Sequence, residues 1–245
     1  MKPESRTPSP DASRIFVGTS GFSYPEWRGT FYPKELTPKK FLSYYAQHFS
    51  TTEINNTFYR IPTPSLVQGW YQEVPPNFLF TLKVSQEITH RRKLKNIDDA
   101  MRRFLDGAAA LREKLATLLV QLPPFLRKDT AALADFLARF SAQARLAFEF
   151  RHPSWFCDEV FELLQSHQSA LAVVEKEEGD GADTPRQVTG PFVYMRLRKG
   201  AYSDAELLDW ARWILSQSVD VFCYMKHDQE APLLANRLLD ALREA

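Results

Sequence analysis

TLLVQLPPFLRKDTAALADFLARFSAQARLAFEFRH (117–152) decides the fold class. The stretch holds two short apolar runs, 117–123 and 146–152, on either side of a longer helical pattern. Strands that alternate with helices form a parallel sheet. The same alternation continues through six more strand-like runs, at 14–21, 51–57, 78–85, 169–175, 192–198 and 220–227. Eight such units in about 230 residues predict an α/β fold, a closed TIM-type (β/α)8 barrel, for which about 250 residues is typical.

Two segments depart from this regular pattern. Residues 176–191, KEEGDGADTPRQVTGP, are rich in glycine, proline and charge and show no helical period. The sixth helix is therefore predicted to be missing or replaced by a long loop, which in a compact domain is usually functional or disordered. Residues 1–13 are dominated by proline, serine and charge and predict a disordered tail. Residues 14–245 then form a single barrel domain.

The composition is that of an ordinary globular protein. Of 245 residues 44% are hydrophobic, and 31 basic residues nearly cancel 30 acidic ones. A formal charge of +1 argues against a protein that coats nucleic acid or anionic membrane with its whole surface. The two cysteines, Cys157 and Cys223, exclude a disulfide framework and fit a reduced compartment. No apolar run approaches the ~18 residues of a membrane span, and we expect a cytoplasmic protein.

The period of two along each strand predicts which side chains face the barrel interior. In the run 146–152 the apolar Leu146 and Phe148 share one side, and Glu149 and Arg151 share the other, inward side. The same division turns a polar set inward on the other strands: Ser20, Glu53, Asn55, Thr81, Lys83, Ser85, Thr117, Gln121, Arg196, Arg198 and Lys226. The carboxyl ends of the strands, where TIM-barrel enzymes carry their chemistry, would hold most of them.

This end of the barrel, called the mouth below, is predicted to be basic. Five inward cations, Lys83, Arg151, Arg196, Arg198 and Lys226, face two inward carboxylates. Such an excess favours a compact anion, a phosphate or a carboxylate, unless the charges form a structural network among themselves. The predicted catalytic residues are Glu149, Lys83 and Glu53. The predicted substrate-binding residues are Ser20, Tyr24, Asn55, Gln121, Arg151, His152, Arg196, Arg198 and Lys226.

Individual residues leave alternatives open. Glu149 is a candidate general acid or base, or else a partner of Arg151 in a structural pair. Lys83 stands where a Schiff-base lysine could stand, although simple anion binding is the commoner use. Glu53 and Asn55 could bind a hard cation, but the mouth lacks the convergent carboxylates and imidazoles of a metal site, and neither metal nor cofactor is predicted.

Aromatic side chains crowd the loop after the first strand. Phe22, Tyr24, Trp27, Phe31 and Tyr32 could form a stacking wall for a ring-bearing ligand, or could simply pack the loop onto the barrel. Packing is slightly favoured for Trp27 and Phe31, and the two interpretations are level for Tyr24.

Several long motifs resemble the YecE-like family, the domain of unknown function seventy-two, from about residue 14 to 242. The motifs are GTSGFSYPEWRGTFYP (18–33), EINNTFYRIP (53–62), FTLKVSQEITH (80–90), LLVQLPPFL (118–126), EFRHPSW (149–155) and YMRLR (194–198). The resemblance implies a TIM-like barrel with a polar mouth, and it implies no established reaction. Where the family usually has a histidine before Gly200 and paired asparagines on the eighth strand, this chain has basic residues, which make its mouth more basic.

Three functions remain open. The leading hypothesis is an enzyme that acts on a small phosphorylated or carboxylated compound. The second is a nucleic-acid-binding or nucleic-acid-processing barrel, in which the basic loop THRRKLK (89–95) would extend the mouth along a strand. The third is a non-catalytic scaffold or regulator, which the fold alone does not exclude.

Overall fold

Eight parallel strands close into a barrel in chain order, which confirms the predicted TIM-type fold. The computed structural model describes residues 14–175, 184–226 and 229–245. The strands are β1 (Ile15–Ser20), β2 (Thr51–Ile54), β3 (Leu79–Lys83), β4 (Leu115–Gln121), β5 (Leu146–Glu149), β6 (Ala170–Glu175), β7 (Phe192–Leu197) and β8 (Asp220–Met225). Strand β8 pairs with β1, with Phe222 opposite Phe16, so the sheet has no free edge.

Helices cover the outside of the barrel. They are α1 (Phe41–Tyr45), α2 (Pro64–Glu73), α3 (Asp98–Ala108), α4 (Thr130–Phe140), α5 (Asp158–Ser166), α6 (Asp204–Leu215) and α7 (Ala231–Glu244). Their starts follow local chemistry: the Thr63 side chain accepts a hydrogen bond from the amide of Leu66, and Ser203 and Glu206 form a reciprocal capping box. Among the described helices, none is both long and apolar enough to cross a bilayer.

The connection between β6 and β7 contains no helix in its described part, residues 184–191. This agrees with the prediction for that half of the loop. Residues 176–183 lie outside the described residues, so the predicted loss of the whole sixth helix stays a prediction. The predicted tail, residues 1–13, also lies outside them.

The strand period divides the side chains as expected. On β5 the Phe148 ring points outward and meets the Phe136 ring of α4 edge-on, with their centroids 5.8 Å apart. Ala147 belongs instead to the apolar cluster inside the barrel, and Glu149 is 1% exposed there. The apolar face of each strand thus packs under the helices, while the opposite face fills the interior.

The barrel interior changes from apolar to polar along its axis. At the amino ends of the strands the Phe222 ring stacks on Phe16 at 4.9 Å and meets Phe192 at 6.1 Å. One step further, the Tyr224 hydroxyl lies 2.9 Å from the Thr51 hydroxyl and 2.8 Å from that of Thr81. Charged side chains occupy the carboxyl ends, so the fold concentrates its buried charge at the mouth.

A close approach between α3 and the loop before α2 requires a glycine. A Cβ atom at Gly107 would lie 2.1 Å from the carbonyl oxygen of Pro62, whereas one at Gly69 in α2 would have no neighbour within 4 Å. The two helical glycines can therefore be compared directly, because close packing requires a glycine at position 107 and not at position 69.

We expect Gly107→Ala to destabilise the barrel by about 1–3 kcal/mol, since the added methyl group must push apart backbone that is already in contact. Gly69→Ala should instead stabilise it by roughly 0.5–1 kcal/mol through helix propensity. Urea unfolding of both variants measures the two changes. A gain in stability for Gly107→Ala would contradict the close packing of α3.

Candidate functional site

Arg196 of β7 lies between two buried carboxylates at the carboxyl end of the barrel. Its Nη2 atom is 2.9 Å from Oε1 of Glu53 on β2, and its Nη1 atom is 2.5 Å from Oε2 of Glu149 on β5. All three residues are at most 1% exposed. We call these three residues the Arg196 network. For Arg196, one of the five cations of the mouth, the structure thus shows the second alternative from the sequence, a structural network of paired charges.

Neutral donors supply the remaining hydrogen bonds to the two carboxylates. Glu53 accepts hydrogen bonds from the hydroxyls of Ser20 and Tyr194, and Asn55 Nδ2 donates to its Oε1 at 3.0 Å. On the other side, Gln121 Nε2 donates to Glu149 Oε1 at 2.7 Å. Every carboxylate oxygen therefore has at least one donor, as a buried charge requires.

These contacts set the protonation of both acids. Burial alone would raise the pKa of Glu149, but the charges of Arg196 and Lys83, with hydrogen bonds from Arg196 and Gln121, lower it to about 2. The pKa of Glu53 is also lowered: burial opposes this, and Arg196, Ser20 and Tyr194 outweigh it. Both carboxylates are ionised at neutral pH, which suits fixed anions that hold Arg196 and does not suit general acids.

A cavity of about 350 Å³ opens above the Arg196 network at the mouth. Its walls combine cations, neutral polar groups and aromatic rings. This mouth cavity is lined by Ser20, Tyr24, Asn55, Phe58, Tyr59, Lys83, Gln121, Arg151, Arg196, Arg198 and Lys226. Eight of the predicted substrate-binding residues and Lys83 thus meet in one place.

Three predicted site residues lie elsewhere. Glu53 and Glu149 do not line the mouth cavity, and both carboxylates bind Arg196, which does line it. Their catalytic roles stay predictions. His152 is also absent from the lining. Its Nδ1 atom accepts a hydrogen bond from the Ser154 amide at 3.1 Å and caps the 3-10 turn Pro153–Trp155.

Lys83 differs from Arg196 in having no ionic partner among the residues that the structure describes. Its Nζ atom stands 4.2 Å from the centroid of the Phe58 ring, and within the described residues it makes no hydrogen bond or ion pair. Burial, and then the charge of Arg196, lower the pKa of Lys83 to about 8, although Glu149 and Glu53 act in the opposite direction. A lysine in this setting binds an anion and, when it loses its proton, becomes a nucleophile.

Arg151 is a second cavity cation without an ionic partner in the described part of the chain. The basic loop behind it behaves differently. Arg92 pairs with Glu87 at 3.1 Å, and Lys95 pairs with Asp129 at 2.7 Å. Half of the charge predicted to form a basic stripe is therefore paired within the protein.

The aromatic part of the cavity comes mainly from a loop that the sequence analysis did not single out. Phe58 and Tyr59 follow β2 directly, and Tyr59 is 74% exposed at the rim. Their position in the sequence could have identified them as site residues, since every loop that follows a barrel strand opens onto the mouth. Of the first-loop rings, Tyr24 lines the cavity, whereas Trp27 and Tyr32 are buried, as the packing interpretation expected.

His90 packs beside the same ring. Its imidazole meets the Phe58 ring edge-on at 4.9 Å, and its Nδ1 atom is 2.9 Å from the Thr89 hydroxyl. Partial burial, followed by the charges of Lys83 and Arg151, lowers the pKa of His90 to about 4. A neutral imidazole thus stands near the cavity at pH 7, in a short π-helix, Glu87–Arg91.

Fold and site together define a TIM-type barrel with a basic cavity at the carboxyl ends of its strands. The chain belongs to the family described as "Protein of unknown function DUF72", which matches residues 16–245 and confirms the resemblance seen in the motifs. The UPF0759 protein YecE of Escherichia coli K12 is 30% identical over 143 residues, which are 58% of this chain and 50% of that protein. The chain spans about half the length of the curated relatives it matches.

Solved structures agree with the family and the fold. A DUF72 family protein from Thermotoga maritima MSB8 is 26% identical and superposes with a TM-score of 0.77 over 94% of this chain and 99% of that chain. One from Enterococcus faecalis V583 is 22% identical, with a TM-score of 0.79 over 94% and 95%. A D-psicose 3-epimerase, 10% identical with a TM-score of 0.51 over 93% and 96%, shares the barrel fold.

We expect the Arg196 network to stabilise the fold at neutral pH and to lose part of this stabilisation in acid. Because the pKa of Glu149 is lowered to about 2 in the folded protein, its contribution is complete above the ordinary value of 4.5 and is lost as the pH falls from there toward 2. Glu149→Gln should lower the free energy of unfolding by about 3–5 kcal/mol at pH 7. As the pH falls from 4.5 toward 2, the free energy of unfolding should then decrease less in this variant than in the unaltered protein.

Denaturant unfolding at a series of pH values measures this difference. Glu162→Gln, on the exposed side of α5, is the matched control and should follow the unaltered protein. Equal acid sensitivity in Glu149→Gln and the unaltered protein would show that Glu149 is not held by Arg196.

Proposed function

We propose that the mouth cavity binds a small phosphorylated or carboxylated compound and that the protein acts on this compound as an enzyme. The observation that carries the proposal is the pair Lys83 and Arg151. Both line the cavity, and no carboxylate of the described residues pairs with either. Cations kept together without counter-charges repel one another, so a bound anion would relieve that repulsion.

The division of charge along the barrel axis supports the same conclusion. The two buried carboxylates are already bound to Arg196, and the cavity lining above them contains five cationic side chains and no acidic one among the described residues. A ligand that enters the mouth therefore meets positive charge first. Arg151 can offer a planar pair of donors to a phosphate or carboxylate, and Lys83 a point charge.

Size and wall chemistry favour a small molecule. A cavity of about 350 Å³ lies at the low end of small-molecule pockets, which span about 300–1,000 Å³. Phe58, Tyr59 and Tyr24 provide apolar wall beside the cations. This combination fits a compact body that carries one anionic group, rather than a polymer that must run across the surface.

Arg151→Ala should weaken the binding of inorganic phosphate and of glycerol phosphate by on the order of 1–3 kcal/mol, or about 5- to 150-fold in Kd, because it removes a charge-assisted contact. Isothermal titration calorimetry measures the change. Arg212→Ala, an exposed position on α6, controls for the loss of one positive charge and should bind like the unaltered protein. A folded protein that binds no phosphate, sugar phosphate or dicarboxylate would favour the scaffold alternative.

Oligonucleotides should bind poorly. A protein that neutralises many phosphates loses affinity steeply with salt, and here Arg92 and Lys95 are held by Glu87 and Asp129. We expect a Kd no tighter than ~10⁻⁶ M at ~0.15 M salt by fluorescence anisotropy, in line with non-specific binding. The double variant Arg91→Ala with Arg92→Ala should leave phosphate binding unchanged. Submicromolar binding that the double variant abolishes would put the nucleic-acid alternative first.

A further inference from the structure

We propose that Lys83 is a nucleophilic amine that forms an imine with a carbonyl group of the anionic compound bound in the mouth cavity. The inference rests on the proposed function, since the anion site would bring the carbonyl carbon to the amine. It narrows the substrate class to aldehydes or ketones that carry a phosphate or carboxylate.

The backbone holds Lys83 in a fixed position. It is the last residue of β3, and its carbonyl oxygen accepts a hydrogen bond from the Thr57 hydroxyl at 2.7 Å. The next amide, of Val84, donates to the Leu119 carbonyl at 2.9 Å. A nucleophile on the end of a strand is positioned more accurately than one on a loop, and the carboxyl end of a barrel strand is open to a ligand.

The surroundings of the Lys83 amine favour its neutral form. One face of it is covered by the Phe58 ring, and no carboxylate of the described residues contacts it, because Arg196 engages both Glu53 and Glu149. Burial and the nearby Arg196 charge lower the pKa of Lys83 to about 8, so an unprotonated fraction exists near neutral pH. Desolvation and a neighbouring cation are the two conditions that activate a lysine for imine formation.

Lys114 shows what a lysine with a structural role looks like in the same protein. Its Nζ atom lies 4.3 Å from the Tyr71 ring centroid, much as Lys83 lies over Phe58. The Lys114 amine, however, donates to the carbonyl oxygens of Tyr71 and Val74 at 2.7 and 2.8 Å, and the residue is 4% exposed. Lys83 has the aromatic contact, lacks the two carbonyl acceptors and faces a cavity instead.

The reaction balances without an oxidant or reductant. The neutral Nζ attacks the carbonyl carbon and forms a C–N bond, while the carbonyl oxygen takes up a proton. Loss of that oxygen as water, which carries away both amine protons, leaves a neutral imine, and its nitrogen then takes up a proton from solvent water to give the protonated imine. The Arg196 network carries one negative charge in excess, from two carboxylates and one guanidinium, and would stabilise the positive charge of the protonated imine.

Reductive trapping tests the inference on the full chain. The protein is treated with glycolaldehyde phosphate and cyanoborohydride at pH 7, and peptide mass spectrometry locates the modified lysines. We expect Lys83 to be modified on the order of tenfold faster than the exposed lysines, whose ordinary pKa is near 10.4. Inorganic phosphate should suppress labelling at Lys83. Unphosphorylated glycolaldehyde should label Lys83 no faster than the exposed lysines.

Two variants separate this inference from the proposed function. Lys83→Arg removes the amine nucleophile and keeps a positive charge, so it should lose the fast, phosphate-sensitive labelling, while calorimetry with inorganic phosphate on the unaltered protein tests the anion site separately. Lys39→Arg, at an exposed position before α1, should label like the unaltered protein.

The remaining outcomes overturn one proposal or both. Phosphate binding with uniform labelling of all lysines would reject the imine and leave the anion site intact. Absence of phosphate binding together with uniform labelling would reject both. Labelling at Lys83 that ignores added phosphate would also count against the inference. The mapping on the unaltered protein decides the question even if Lys83→Arg does not fold.

Discussion

The charge pairing of Arg196 with Glu53 and Glu149 is the constraint on which the mouth of the barrel depends. The three side chains come from β7, β2 and β5, strands that are not neighbours in the sheet, so the pairing ties the barrel together across its interior. Removing one member would leave a buried charge without its partner, which is strongly destabilising. The three residues therefore have to be kept or replaced together.

This pairing also explains the character of the cavity above it. Because both acidic side chains are engaged below the lining, the exposed surface of the site is left with cations and aromatic rings. The same residues thus form a buried ionic layer with one negative charge in excess, next to a cavity lining that carries the cations. Lys83 interacts electrostatically with both regions, because Arg196 lowers its pKa and the carboxylates of Glu149 and Glu53 raise it.

The sequence predicted the barrel and the inward set well, because both follow from periodicities that local sequence carries. Alternation fixes the side of the sheet on which Glu149 or Arg196 lies. It does not fix depth: the stagger of a closed barrel decides which inward residues share a level, and stagger is a property of all eight strands. Hence Glu149 was predicted as a catalytic residue of the mouth, whereas in the fold its carboxylate binds Arg196 and does not line the cavity.

Contacts made by loops were the hardest to foresee. His152 was predicted to bind substrate, but it does not line the mouth cavity, and its Nδ1 atom accepts a hydrogen bond from the Ser154 amide that caps the following turn. Phe58 was not named as a site residue. Its importance depends on a contact with Lys83 across a sequence separation of 25 residues, which no local pattern records.

The packed rings of Phe16, Phe222 and Phe192 determine how a molecule can enter and leave the barrel. They fill the barrel below the polar layer, so the cavity ends blindly. Whatever enters must leave through the same opening, and a molecule on its way out obstructs the next one on its way in. For an enzyme of the kind proposed here, product release would limit the rate as much as substrate entry does, and a tightly bound product would be a competitive inhibitor.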